Sequence, residues 1–134
     1  MKYNELTRRY FENAPGAGVL VGPGIYRGAA GSRNQGTWVQ FEVQVDLHAR
    51  VTIVQVARFL ALACPHVIAV SAWVTERAVG LEVKDQLPES VQSLRERFAV
   101  PVEKLGRLLI VEDAWIAAAY AAGAPRLGSA ATGE

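Results

Sequence analysis

Reactive residues are scarce in this sequence. Its 134 residues include one cysteine, Cys64, two histidines and one methionine. A single thiol excludes an internal disulfide and removes the usual signature of a secreted, cysteine-stapled fold. Charge of one sign is lacking too. Fourteen Lys and Arg stand against 13 Asp and Glu, for a formal net charge of +1. That field is too weak to announce nucleic acid or an acidic membrane surface as a partner. The most apolar stretch, Phe59 to Val74, is broken by Pro65 and His66. It also falls short of the roughly 20 apolar residues a membrane-spanning helix needs. Lys2 is followed by no apolar segment of the signal-peptide kind, so a cytoplasmic protein off the membrane is expected. Glycines cluster at Gly22, Gly24 and from Gly28 to Gly36, but without a Gly-x-Gly-x-x-Gly or Gly-Lys-Ser pattern. They read as turn glycines rather than a phosphate cradle.

What is present describes a globular domain: 51% of residues are hydrophobic and 20% charged. The length suits a single core. Tyr3, Leu6 and Tyr10 recur at helical spacing, predicting a helix that ends near Asn13, before Pro15-Gly16. Val19, Val21, Ile25 and Tyr26 suggest a short edge strand, and Gly28 to Gly36 a loose loop. Val39, Phe41, Val43 and Val45 alternate with Gln40, Glu42, Gln44 and Asp46, the period of a strand with one buried face. A second β-rich run covers Val51 to Phe59 after a turn at His48-Ala49-Arg50. Pro65 suits the first turn of a helix, because its missing N–H is not needed there. Val67 to Val79 is apolar on nearly every side, as in a buried helix stopped by Gly80. Pro88-Glu89-Ser90 opens a further helix, Pro101 breaks the chain, and Leu105 to Ala122 reads as a long last helix. Residues 123–134 are small and polar, a tail expected to be disordered. Helix, then strands, then helices argues an α+β fold.

Few residues invite chemistry. His48 reads as a solvated turn residue and Arg8-Arg9 as an exposed helix face. Glu112-Asp113 are neighbours on a helix and so diverge. Trp38, Trp73 and Trp115 are read as core anchors. Cys64-Pro65-His66 is the one local cluster of interest, since a cysteine just before a helix meets free N–H groups that favour a thiolate. The plain alternative is a small buried hydrophobe. His66, adjacent in sequence, does not by itself make a Cys–His pair.

From Ala57-Arg58-Phe59 through Ala63-Cys64-Pro65, Ile68-Ala69 and Val74-Thr75-Glu76 to Gly80, the chain resembles, without a gap, the IscU and NifU N-terminal scaffold family. The stretch corresponds to the segment holding that family's middle ligand cysteine. Phe11-Glu12-Asn13 is similar to the family's Tyr-Glu-Asn, and Val111-Glu112-Asp113-Ala114 to its Ala-Glu-Asp-Ala. The likeness covers about residues 3 to 122 and implies a scaffold domain over 1–122. It implies a small antiparallel sheet of about three strands packed against several helices, SufE/NifU-like. The implied activity is to accept sulfur from a cysteine desulfurase, and iron, and to assemble a [2Fe-2S] cluster for delivery with chaperone help. Three cysteines, an Asp and a His serve that work in the family.

The ligands depart from the pattern. Asn34-Gln35-Gly36-Thr37 stands where the family has Ala-Cys-Gly-Asp, and Gly106-Arg107-Leu108 where it has His-Cys-Ser. Cys64 alone remains, as the one family metal ligand. Iron-sulfur clusters require several thiolates, and a guanidinium neither deprotonates nor ligates. The family's chaperone stretch, Leu-Pro-Pro-Val-Lys, has become Val100-Pro101-Val102-Glu103-Lys104, which leaves the chaperone interaction open. The resulting expectation is a divergent scaffold-like protein, not an enzyme, that partners a cysteine desulfurase. Cys64 would accept sulfur and Arg107 would stabilise its thiolate. No cofactor is expected to stay bound; iron or an iron-sulfur cluster would be transient cargo. A docking module that regulates the desulfurase without chemistry is the alternative, and a thiol enzyme using Cys64 and His66 the third reading.

Overall fold

The structure, a computed structural model, describes residues 2–46 and 48–124. The tail expected to be disordered falls mostly on residues 125–134, outside the described residues. In chain order the elements are α1 (Glu5–Asn13), β1 (Ile25–Ser32), β2 (Thr37–Val45), β3 (Val54–Leu62), α2 (Pro65–Ala78), α3 (Val91–Arg97), a 3₁₀ turn (Val102–Lys104) and α4 (Leu105–Ala121). The fold is α+β, built on a three-stranded antiparallel sheet in the order β1-β2-β3.

Three of the helices start at a side-chain cap or a proline. Asn4 caps α1 by accepting from the Thr7 N–H at 2.8 Å, and Ser90 caps α3 by accepting from the Ser93 N–H at 3.1 Å. The helix α2 begins with Pro65 after an extended Cys64, and the chain turns away at Gly80 with φ +89°. The odd-numbered residues of β2, Val39, Phe41 and Val43, are buried beneath α4, with Phe41 edge-on to Trp115 at 5.3 Å. On α2, Val67, Val70 and Val74 are fully buried, which explains a helix apolar on so many sides. Helix α1 lies on α2 and is tied to the end of α3 by the Thr7 hydroxyl donating to the Phe98 carbonyl at 2.7 Å.

Several sequence expectations are corrected. The glycine-rich run is strand as far as Ser32 and loop only from Arg33 to Gly36: Ile25–Ser32 pairs in register with β2 from Ile25 opposite Gln44 to Ser32 opposite Thr37. Gly28 and Gly31 answer to close neighbours, whereas Gly36 serves the turn at φ +86°. A Cβ at Gly28 would lie 2.1 Å from the Ala118 nitrogen, so only glycine lets α4 rest on this strand. Conversely, Val19 and Val21 form no strand; they are 58% and 91% exposed. Their segment instead crosses near β3, where the Gly18 N–H donates to the Phe59 carbonyl at 2.9 Å and the Phe59 N–H to the Gly16 carbonyl at 2.8 Å. Further along the same strand, the Val54 N–H donates to the Leu81 carbonyl at 2.9 Å and its carbonyl accepts from the Gly80 N–H at 2.8 Å. The third strand starts later than the sequence suggested, at Val54, and runs on to Leu62.

On the opposite face of the sheet, Glu42 is buried. It pairs with Arg27 at 3.0 Å and accepts from the Leu20 N–H at 2.6 Å, which ties the 17–24 segment to β2. Trp38 also departs from its expected role. It is only partly buried, and the Arg33 guanidinium lies 4.4 Å from its ring centroid.

Candidate functional site

Register and packing bring three distant segments to one end of the sheet. Ser32 opposite Thr37 closes the β1–β2 hairpin through Arg33–Gly36, while Trp38 opposite Leu62 places the exit of β3 beside that turn. Cys64 follows two residues later. The α4 helix runs along β1 with Ile110 at Gly31 and Ala117 at Gly28, so its first turn, carrying Arg107, arrives at the same end. Gln35, Cys64 and Arg107 thus belong to three elements that converge.

Cys64 is half-buried and occupies the N-cap position of α2, although its side chain makes no capping hydrogen bond of good geometry. Its thiol pKa is lowered. Burial pushes it up, but the Val67 N–H, the Arg107 guanidinium, the Lys104 charge and the His66 N–H together outweigh that push. Arg107 is exposed on the first turn of α4, and a Cβ added at neighbouring Gly106 would meet nothing within 4 Å. The half-buried thiol thus stands at a helix N-terminus, with the Arg107 guanidinium among the groups acting on it.

His66 plays a different part from the one its sequence position suggests. It is 1% exposed, packs edge-on to Tyr3 at 4.7 Å between ring centroids, and has its Nδ1 3.2 Å from the Lys104 Nζ. Burial, then the charges of Lys104 and Arg107, lower its pKa to about 4. The neutral imidazole accepts at Nδ1 from the ammonium, which assigns its proton to Nε2, an atom with no hydrogen-bond partner. Lys104 also stands 6.0 Å from the Tyr3 ring centroid. One ring nitrogen is turned to Lys104 and the other is unpartnered, so His66 makes no hydrogen bond to Cys64. Sequence reasoning met Lys104 only within the altered chaperone stretch. A signal for His66 was present, since His66, Val70 and Trp73 share one helical stripe.

The donor set at these positions does not fit a [2Fe-2S] cargo: a thiol, the Gln35 amide and the Arg107 guanidinium. Thr37, at the carboxylate position, is 7% exposed and belongs to the buried face of β2. Among the described residues, no group of three or more His, Cys, Asp and Glu side chains could hold a metal ion.

The family model described as NifU-like N terminal domain matches residues 2–122. The chain belongs to that family. The match takes in every element from α1 to α4, and with it, at the family level, a role in scaffolding iron-sulfur cluster assembly. A search of curated proteins finds no significant match. Among the described residues, no helix of this NifU-like domain is long and apolar enough to cross a membrane.

Proposed function

We propose that this NifU-like protein takes part in iron-sulfur cluster assembly as a sulfur acceptor, and that it holds no conventional [2Fe-2S] cluster on its own. Cys64 is the acceptor. Its thiolate attacks the terminal sulfur of a cysteine desulfurase persulfide, the S–S bond of that persulfide breaks, and the desulfurase cysteine leaves as a thiolate. Cys64 then carries the persulfide, an anion at neutral pH, and Arg107 stabilises it as it stabilised the thiolate. What supports this reading is the Arg107 guanidinium, which helps lower the pKa of the half-buried Cys64 and falls where the resemblance implies a family ligand. A cation there works against metal and for an anionic sulfur. In this role the protein is loaded once per encounter and is not an enzyme.

The test incubates the protein with a cysteine desulfurase and cysteine, and reads the intact mass under non-reducing conditions. A gain of one sulfur, about 32 Da, lost in Cys64→Ser and weakened in Arg107→Ala, is expected. An unloaded Cys64 in the presence of an active desulfurase overturns the reading.

A second reading, a docking module without chemistry, draws on Leu60 and Leu62. Both are exposed on β3, at 36% and 52%, and lead directly to the Cys64 end. It predicts that Cys64→Ala retains full function in cells.

A further inference from the structure

The two borders of the sheet are not alike. Along β3, both the N–H and the carbonyl of Phe59 are taken by Gly16 and Gly18, and those of Val54 by Leu81 and Gly80. Along β1 the pattern differs. The Val45 N–H donates to the Gly24 carbonyl at 2.9 Å, one step beyond the Ile25–Gln44 pair, so Gly24 and Val45 form a hydrogen-bonded pair. Such pairs alternate in an antiparallel ladder, and the register runs unbroken to Ser32. Tyr26, Gly28 and Ala30 therefore bond to β2, while Ile25, Arg27 and Ala29 turn their N–H and carbonyl groups outward. Among the described residues, no loop backbone meets those outward groups. Over its eight residues the strand has no proline, no lysine and no bulge to blunt the edge.

What can fill this edge is limited by the helix above it. α4 rests directly on β1, with the Cβ position at Gly28 2.1 Å from the Ala118 nitrogen. A second copy of the chain, pairing β1 with β1, would carry its own α4 over the next strand, about 4.8 Å away. Packed helices need about 8–10 Å between axes. The edge therefore admits only a bare extended segment, with no helix on the α4 side. Its charge is set by the strand. Residues 25–36 contain Arg27 and Arg33 but no Asp or Glu. The Arg27 side chain is 62% exposed, and among the described residues Glu42 engages only its Nε. A residue opposite Arg27 in an added strand would share its face, the one away from α4.

We propose that the free edge of β1 docks an extended, acidic segment of a partner protein, which joins the sheet as a further strand with a carboxylate opposite Arg27. Main-chain bonds to Ile25, Arg27 and Ala29 supply the hold, and the carboxylate fixes the register. This surface is separate from the chemistry of Cys64 and does not depend on it.

The experiment uses a blocked peptide, about seven residues of alternating threonine and valine with glutamate at the centre, and a counterpart with lysine there. It maps amide exchange in the full-length protein by NMR. The glutamate peptide should slow exchange about tenfold at Ile25, Arg27 and Ala29 and leave Tyr26, Gly28 and Ala30 as they were. The lysine peptide should bind at least about threefold more weakly. Ala29→Pro removes an outward N–H that no ladder bond uses, so it should lose the peptide while keeping its circular dichroism. Protection at other residues only, or none, overturns the inference, whether or not Ala29→Pro folds. So does protection of the three amides before any peptide is added, since the edge would then be covered within the chain or by a second copy. Equal binding of the two peptides overturns the acidic character of the partner, and full binding by Ala29→Pro overturns the edge as the docking site.

Discussion

The Nζ atom of Lys104 lies 3.2 Å from the Nδ1 atom of His66, which joins the 3₁₀ turn before α4 to the first turn of α2. A cation normally free to swing in water is thereby fixed by a buried neutral base, at the same end of α2 as the only thiol in the chain. That contact, with Arg107 beside it, sets the electrostatics of Cys64.

Cys64 should react as a thiolate at a lower pH than an unperturbed cysteine. With its pKa lowered by the Val67 N–H, Arg107 and Lys104 against the upward push of burial, alkylation by iodoacetamide should reach half its plateau rate below about pH 8.5, the usual value for a cysteine. Replacing the guanidinium, as in Arg107→Ala, should move the profile upward. A midpoint unchanged by that substitution would remove Arg107 from the site.

Stability should fall on mild acidification through His66. Its folded-state pKa, about 4, lies below the ordinary 6.5, so the unfolded chain binds the proton more readily between those values. The stabilising contribution is complete above pH 6.5, fades as the pH drops toward 4, and declines no further below that. Its size is at most about 3 kcal/mol. Urea unfolding at pH 7 and pH 4.5 measures it, and the difference should shrink in His66→Leu. An equal difference in that variant would assign the acid sensitivity to other groups.

Two glycines should answer oppositely to the same substitution. At Gly28 an added Cβ would lie 2.1 Å from the Ala118 nitrogen and 2.4 Å from the Ala117 carbonyl carbon, both backbone atoms. Gly28→Ala should therefore cost about 3 kcal/mol or more, by prising α4 off β1. Gly106, inside the first turn of α4 with nothing near its Cβ position, should gain about 0.5–1 kcal/mol on Gly106→Ala. Midpoints of denaturant unfolding check both.

Metal should matter neither to folding nor to the isolated chain's resting state. The core is apolar and needs no ligand set, so one cooperative thermal transition, unmoved by a strong chelator, is expected. Anaerobic treatment with iron and sulfide should leave no stoichiometric [2Fe-2S] absorption on the monomer after desalting, because Cys64 is a single soft donor beside two cations. A chelator-dependent melting temperature, or one cluster per chain, would contradict the donor count.

How legible the fold and the site were in the sequence depended on which force decided each element. The strand Thr37–Val45 and the helices α1, α2 and α4 could be read because their own residues settle them: β2 by alternation, α2 by Pro65 and an apolar run closed by Gly80. The first strand could not, since Gly28 and Gly31 look like turn residues until α4 is laid across them. Val19 and Val21 misled in the other direction, as β-branched residues placed in a segment held by backbone bonds to Phe59 rather than by their own burial. At the site, the position of Arg107 near Cys64 came from family likeness rather than from any local pattern. The Lys104–His66 contact spans 38 residues and had no sequence signal beyond the apolar stripe carrying His66.

The short bonds that Gly16, Gly18, Gly80 and Leu81 make to β3 bear on colloidal behaviour. That strand borders the sheet and carries exposed leucines, the combination from which chains stack edge to edge into fibres. Yet at Val54 and Phe59 both the N–H and the carbonyl are already taken by passing loops. An incoming strand would find the ladder interrupted near each end and could not zip along it. The loops around β3 therefore act as a guard rail: the apolar side chains beside Cys64 stay available for a partner's surface, while the backbone beneath them is denied to another copy of the chain.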